Sequence, residues 1–131
     1  MNAKSNVKEV MNKKLKPILS ELRNFSNDIE AAAVMSRDGI NIASVMDDTV
    51  DPDRLGAMCA SLLSLGDKTS AELKRGKLKQ VLIEGEQGCI LMVQIGQRAV
   101  LAVVSKPTSN LGMVFLEAKK TVKTIIDSKL I

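Results

Sequence analysis

The order and spacing of apolar residues predict an α+β fold built as a single domain. Three stretches carry apolar residues at the 3.6-residue period of a helix, and glycine-containing turns join several shorter apolar stretches that suit strands. The chain has 131 residues, a length that favours one domain. We therefore predict the order helix, strand, strand, helix, three strands, helix. The five strands form a mostly antiparallel sheet with helices on both faces.

The first helix is predicted from regularly spaced apolar residues within residues 7–25. Pro17 interrupts this pattern because its ring removes a helix hydrogen bond, so we expect either a kink or a new helix that starts at Pro17. Residues 30–36 and 40–45 follow as two strands. A tight Arg-Asp-Gly turn joins them as a hairpin, because Gly39 can adopt a positive φ.

The central helix is predicted over residues 51–75. Asp51 is its N-cap, Pro52 occupies its first position, and Gly76 closes it after a basic last turn. One side of this helix is an ordinary apolar stripe that we expect to face the sheet. The stripe consists of Leu55, Met58, Cys59, Leu62, Gly66, Thr69 and Leu73.

The opposite side of the central helix carries small residues where a surface helix normally presents long polar side chains. Small side chains allow a second backbone to approach closely. We therefore expect this helix to have two neighbours, and in so short a chain the second neighbour can be another copy of the protein. The small residues are Ala57, Ala60, Ser64 and Ala71.

Three further strands, residues 79–84, 89–95 and 99–104, are predicted as a meander, followed by a last helix that Ser109 or Asn110 caps.

Placing the strand of residues 30–36 beside that of residues 99–104 leaves residues 40–45 and 79–84 as the sheet edges. The second edge carries three consecutive apolar residues, Val81 to Ile83. An apolar, unprotected edge tends to pair with another strand.

The sequence lacks the side chains and motifs of most enzyme classes. Histidine is absent, which removes the commonest general base and zinc ligand, and there is no CxxC pair, phosphate-binding loop, nucleophile elbow or calcium-binding loop. We therefore expect no catalytic residues, no metal and no cofactor. Cys59 and Cys89 suit buried reduced thiols, with a redox role as the alternative. Only two aromatic residues are present, so nucleic-acid binding by base stacking is not expected.

The net charge of +4 comes from the N-terminal part of the chain, where residues 1–25 hold six lysines and arginines against two acids. No apolar run is long enough to span a membrane, and no signal sequence follows the N-terminal lysines. We expect a cytoplasmic protein in which residues 1–14 form a basic extension. Weak contact between this extension and an anionic membrane surface stays open.

Two smaller charge clusters have two interpretations. The basic cluster and the acidic cluster flank the central helix, so both suit the helix macrodipole as solvated surface, and both also suit an electrostatic partner site. The basic cluster is Lys74, Arg75, Lys77 and Lys79, and the acidic cluster is Asp47, Asp48, Asp51 and Asp53.

The hairpin sequence from Ala33 to Ser44, AVMSRDGINIAS, resembles that of the Roadblock / dynein light chain family. Further resemblance, in the expected order, covers the chain from about Leu15 to Ile126. It implies a Roadblock/profilin-like fold for residues 15–131. The other similar segments are Leu55–Met58, Ile83–Gly85, Ile90–Met92, Ala99–Val103 and Asn110–Gly112.

The resemblance implies a non-enzymatic dimerising module. Family members pair through the central helix and the third strand, and many archaeal and bacterial members are thought to regulate Ras-like GTPases. We therefore expect a homodimer that regulates a small Ras-like GTPase. The alternatives are a scaffold or adaptor subunit without a GTPase effect, and a small-molecule or redox sensor that uses Cys59. Carried over to this chain, the dimer interface is Ala57, Ala60, Ser61, Ser64, Ala71, Val81 and Ile83.

Overall fold

The helices and strands follow the predicted order. The computed structural model describes residues 3–47, 49–107 and 110–131. Asp48 and Ser109, which belong to two of the sequence predictions, lie outside the described residues. The elements are α1 (Ala3–Phe25), β1 (Ile29–Ser36), β2 (Asn41–Val45), α2 (Pro52–Glu72), β3 (Gln80–Gly85), β4 (Gly88–Ile95), β5 (Ala99–Ser105) and α3 (Leu111–Asp127).

The five strands form one sheet in the order β2-β1-β5-β4-β3, and every neighbouring pair is antiparallel. The predicted pairing of the first and last strands is confirmed, since Met35 of β1 lies opposite Val100 of β5. The two edges are β2 and β3, also as predicted.

Helices cover both faces of the sheet and enclose two apolar cores. On one face α1 and α3 bury the larger core, with Leu15, Leu19 and Ile125 fully enclosed. On the other face α2 buries the smaller core through Cys59 and Leu63. The predicted α+β class with helices on both faces is therefore confirmed. No helix among the described residues combines the length and the apolar character needed to cross a bilayer.

The first helix runs without a break through Pro17, so the structure does not contain the separate helix starting at Pro17 that the sequence left open. Among residues 7–25 of this helix, whose side chains the structure describes, the fully buried residues begin at Leu15, while Val7 and Val10 are exposed. The first part of α1 thus extends beyond the main core. The division into residues 1–14 and 15–131 stays a prediction.

The β1–β2 turn packs backbone to backbone against the start of α2. Gly39 adopts a φ of +89°, and a Cβ atom added to it would lie 2.4 Å from the carbonyl oxygen of Gly56. A Cβ atom added to Gly56 would lie 2.0 Å from the carbonyl oxygen of Gly39. Because no side chain fits between these two backbones, the pair of glycines fixes where α2 crosses the sheet.

The helix termini use the predicted caps, but α2 ends early. The Asp51 side chain accepts hydrogen bonds from two backbone N–H groups of the first turn, and Asn110 accepts one at the start of α3. The predicted helix over residues 51–75 was wrong at its end, because Lys74 takes a φ of +57° and the helix stops at Glu72. The predicted basic last turn is therefore absent from α2.

Candidate interaction surface

The face of α2 that packs on the sheet differs from the predicted stripe. The buried residues are Leu55, Gly56, Cys59 and Leu63, which follow an i, i+4, i+8 line with Gly56 beside it. Met58 and Leu73, assigned to the core by the sequence, are 50% and 61% exposed. The prediction was wrong for Met58 because the sheet contacts the arc centred on Cys59, and Met58 lies outside it. It was wrong for Leu73 because the helix ends at Glu72, so Leu73 is the C-cap and lies beyond the part of α2 that packs on the sheet. Thr69, also assigned to this stripe, is exposed as well.

Three large apolar side chains therefore stand in solvent along α2 and at its C-cap. Leu65 is 63% exposed, and Met58 and Leu73 complete what we call the apolar band. An exposed row of large apolar residues marks an interaction surface more often than a chance feature.

A groove of about 420 Å³ runs beside the apolar band towards β3. Leu78 closes its base by packing on Gly66, where an added Cβ atom would lie 2.9 Å from Cδ2 of Leu78. The groove walls are mainly apolar. They consist of Leu62, Leu65, Gly66, Thr69, Ser70, Leu73, Arg75, Leu78 and Val81.

The small residues predicted for a close contact lie on the accessible side of α2. Ala57, Ser61, Ser64 and Ala71 are exposed, and Ala60 is half-buried. The hydroxyl of Ser61 donates a hydrogen bond to the carbonyl oxygen of Ala57 at 3.1 Å, so this hydroxyl already has a partner within the helix. This small face adjoins the apolar band, because Leu65 lines both the groove and a shallow depression formed with Ala60, Ser61, Ser64 and Lys68.

The edge strand β3 presents apolar side chains on both faces. Val81 is half-buried and packs against the smaller core, whereas Leu82 and Ile83 are exposed. Among the strands that the structure describes, β3 pairs with β4 alone, so the outer edge of β3 can pair with another strand. The two predicted strand residues therefore lie on the α2 side of an open edge, with Val81 in the groove wall and Ile83 further along the strand.

The predicted basic cluster is exposed and lies in the connection between α2 and β3. Arg75 also lines the groove, and its backbone N–H donates to the carbonyl oxygen of Ser70 at 2.7 Å. Within the described part of the chain, Lys74, Arg75, Lys77 and Lys79 form no ion pair. Their charges are thus available to an acidic partner.

An ion pair that the sequence did not predict joins the hairpin turn to α2. The guanidinium group of Arg37 donates to the carboxylate of Asp67, and the backbone N–H of Arg37 donates to the carbonyl oxygen of Arg98. Arg37 and Asp67 are 30 positions apart and belong to no local motif, so no sequence pattern pairs them. Together with the Gly39–Gly56 contact, this ion pair holds α2 across the sheet.

The two cysteines are unpaired and buried. Burial raises the pKa of the Cys59 thiol to about 11, so the thiol stays protonated at neutral pH. Among the residues that the structure describes, no three His, Cys, Asp or Glu side chains are grouped to hold a metal ion.

Comparison with solved structures identifies the fold. Myxococcus xanthus MglB superimposes with a TM-score of 0.82 at 21% identity, covering 91% of both chains. Acanthamoeba castellanii profilin II superimposes with a TM-score of 0.61 at 16% identity, covering 88% of this chain and 98% of that one. These likenesses confirm the Roadblock/profilin-like architecture.

Comparison of sequences identifies the family. An uncharacterized protein of Methanocaldococcus jannaschii is 35% identical over 108 residues, which are 82% of this chain and 93% of the relative. The model of the Roadblock/LC7 domain matches residues 17–105, a range that includes the hairpin, α2, β3 and the sheet centre. The chain belongs to the Roadblock/LC7 family.

Proposed function

We propose that the protein is a non-enzymatic homodimeric module that regulates a small Ras-like GTPase. Membership of the Roadblock/LC7 family supports this proposal, since family members pair and many archaeal and bacterial members are thought to regulate such GTPases. The observation that carries the dimer is the apolar band of Met58, Leu65 and Leu73 beside the open edge of β3.

The magnitudes favour an interface that uses both α2 and β3. Fully burying one large apolar side chain contributes roughly 1.5–3 kcal/mol, and each residue of the band is already partly buried. Association itself costs about 4–15 kcal/mol in lost freedom. Burial of six such side chains, three from each protomer, is therefore comparable to this cost and leaves little surplus for a stable dimer. Pairing of two β3 edges adds backbone hydrogen bonds, and the small face of α2 allows the second helix to approach.

The dimer is tested by placing an arginine at two sites on α2. Leu65→Arg changes the centre of the apolar band, and Ala60→Arg changes the small face that the sequence predicts. Leu65 is well exposed, so its substitution leaves the fold intact, but an unpaired charge buried in an interface costs several kcal/mol. We expect wild type to be dimeric at micromolar concentration by light scattering and Leu65→Arg to be monomeric.

The matched control is Leu116→Arg, which makes the same change at an exposed leucine of α3 on the other face of the sheet. This variant is expected to stay dimeric. A monomeric wild type contradicts the dimer. A monomeric Ala60→Arg with a dimeric Leu65→Arg places the interface on the small face instead of the band.

The regulatory role is tested by capturing GTP-binding proteins from native lysate loaded with GDP or with a non-hydrolysable GTP analogue. We expect a Ras-like GTPase to be retained in one nucleotide state in preference to the other. Adding the module to the purified GTPase is then expected to change its hydrolysis or exchange rate. Retention without any rate change would support the scaffold alternative.

The basic cluster is a candidate contact for that partner. Exposed charges at an interface rim act mainly on the association rate and its salt dependence. Replacing Lys74, Arg75, Lys77 and Lys79 by glutamate is therefore expected to slow association and to weaken its dependence on salt. Unchanged association kinetics would mean that the cluster is ordinary solvated surface.

A further inference from the structure

The positive charge of the protein is concentrated on one face of the sheet. The two helices of that face, α1 and α3, carry nine lysines and arginines against four acids. The rest of the chain has ten basic and eleven acidic residues, so the excess charge of the molecule belongs to these helices. We call the surface of α1 and α3 the two-helix face.

The outer side of α3 combines lysines with large apolar side chains. Its buried residues are Val114, Ala118, Thr121, Val122 and Ile125, which leaves a second row of residues facing away from the sheet. This outer row mixes charge and apolar surface instead of being purely polar. Its exposed members include Met113, Leu116, Lys119, Lys120 and Lys123, with the acid Asp127 at its end.

The helix α1 continues this character. Val7 and Val10 are exposed apolar residues near its start, and Phe25 is exposed at its end. Lys8, Lys13, Lys14 and Lys16 lie in solvent between them. With 23 residues, α1 is about 35 Å long at 1.5 Å per residue, so the pattern covers an extended surface and not a single pocket.

Few of these charges are neutralised within the molecule. Among the described residues of the two helices, Lys120 and Glu117 form an ion pair, with Nζ and Oε1 3.4 Å apart. Lys16, Lys119 and Lys123 are exposed and form no ion pair within the described chain. Their charges are free to meet an external anionic surface.

We propose that the two-helix face binds the surface of an anionic phospholipid membrane. The lysines contact lipid phosphates and carboxylates, while Leu116, Met113 and Val10 enter the boundary between headgroups and acyl chains. Lysine stems that lie along the apolar residues keep their ammonium groups at the headgroups. The exposed apolar residues favour a lipid surface over nucleic acid, because binding to phosphates alone gains nothing from them.

This surface is compatible with the proposed dimer, because α2 lies on the opposite face of the sheet. Antiparallel pairing of two β3 edges about a two-fold axis would place both two-helix faces on the same side of the joined sheet. The dimer would then bind the membrane through two copies of the two-helix face. This doubling rests on the proposed function, whereas the binding of lipid by a single copy does not.

The proposal is tested by sedimentation of the full-length protein with vesicles. One set of vesicles is pure phosphatidylcholine, and the other contains three parts phosphatidylserine to seven parts phosphatidylcholine. We expect binding only to the anionic vesicles, with an affinity that falls as salt is raised. Replacing Lys16, Lys119 and Lys123 by glutamate is expected to lower the affinity on the order of 100-fold, since each basic residue near the surface contributes about fivefold.

The control replaces Lys74, Lys77 and Lys79 by glutamate, which changes the net charge equally at exposed residues outside α1 and α3. It is expected to bind nearly as well as wild type. The double variant Val10→Asn, Leu116→Asn is expected to bind more weakly while keeping its melting temperature, because both side chains are exposed.

Three results would overturn the proposal. Absence of binding to the anionic vesicles at low salt excludes the lipid surface. Equal losses in the two charge-reversal variants mean that net charge, not the two-helix face, decides binding. Binding to duplex DNA that exceeds vesicle binding and depends on the same lysines assigns the face to nucleic acid.

The Leu65→Arg variant separates the role of the dimer from that of the face. If this variant is monomeric and binds vesicles more weakly but still measurably, one copy of the face binds lipid without the dimer.

Discussion

At the scale of single residues, Gly56 is the position with the least tolerance. An alanine there would favour the helix by up to about 1 kcal/mol. Its Cβ atom, however, would lie 2.0 Å from the backbone oxygen of Gly39, and neither backbone can rotate away as a side chain would. We expect Gly56→Ala to lower the free energy of unfolding by roughly 1–3 kcal/mol, measured by urea denaturation.

The control is Gly112→Ala, a change of the same kind in the first turn of α3. Among the described residues, an added Cβ atom at Gly112 meets the Asn110 side chain, at 3.4 Å, and we expect a change between zero and a gain of about 1 kcal/mol. Equal effects of the two substitutions would mean that the Gly39–Gly56 contact does not constrain the fold.

Cys59 predicts a dependence of stability on alkaline pH. Burial raises the pKa of this thiol from its usual 9.0 to about 11, so the folded state keeps a proton that the unfolded state has lost in that window. The free energy of unfolding is therefore fully retained below pH 9 and falls as pH rises towards 11. We expect Cys59→Ala to show a shallower fall over this range in chemical denaturation measured at several pH values.

The comparison is clean because the chain has no tyrosine and the two proteins differ only at residue 59. Identical slopes would contradict the raised pKa. The same burial predicts slow alkylation of Cys59 in the native protein, and rapid alkylation would restore the redox sensor as an explanation.

At the scale of elements, the cap of α2 makes a measurable contribution. The Asp51 side chain accepts from the N–H groups of Asp53 and Arg54 at 3.0 and 3.5 Å. Substitution of an N-cap by alanine typically costs about 1 kcal/mol. We expect Asp51→Ala to lower the melting temperature by several degrees and Asp53→Ala to lower it less, because Asp53 acts only through the helix dipole. An equal effect of both changes would mean that the cap bonds contribute nothing.

Residues that act on their own neighbours in the sequence predicted the helices and strands, whereas long-range contacts decided which face of each helix packs on the sheet. The roles of Asp51, Pro52 and Gly39 could be predicted, because each determines the backbone conformation of its immediate neighbours in the sequence. The exposure of Met58 could not, because the 3.6-residue period allows two neighbouring arcs of α2 to face the sheet. The contact of Gly39 with Gly56 selects one arc, and the sequence does not contain that contact as a pattern.

The same reasoning applies to the candidate site. The open β3 edge was predictable, because strand order follows from short connections. The apolar band was missed because two of its three members, Met58 and Leu73, were assigned to the core. The two-helix face was missed because its charges come from both ends of the chain, and only the fold brings α1 and α3 onto one side of the sheet.

At the scale of the whole molecule, we predict that the core domain folds independently of the basic extension of residues 1–14. Among residues 7–25, whose side chains the structure describes, full burial begins at Leu15, and Met11 is the one residue before it that packs against the core, where its half-burial contributes on the order of 1 kcal/mol. Pro17 lies in the interior of α1, where it lacks the N–H that would donate to a preceding carbonyl group. In a chain that starts at Leu15, Pro17 would lie in the first helical turn, where no such bond is needed.

We therefore expect deletion of residues 1–14 to leave a folded protein whose stability falls by only about 1 kcal/mol. Because the deletion removes Val7, Val10 and four lysines, it is also expected to weaken binding to anionic vesicles strongly. Circular dichroism during heating measures the first effect and vesicle sedimentation the second. A protein that unfolds on deletion would place the N-terminal boundary of the domain before Leu15, and unchanged vesicle binding would confine the lipid contact to α3.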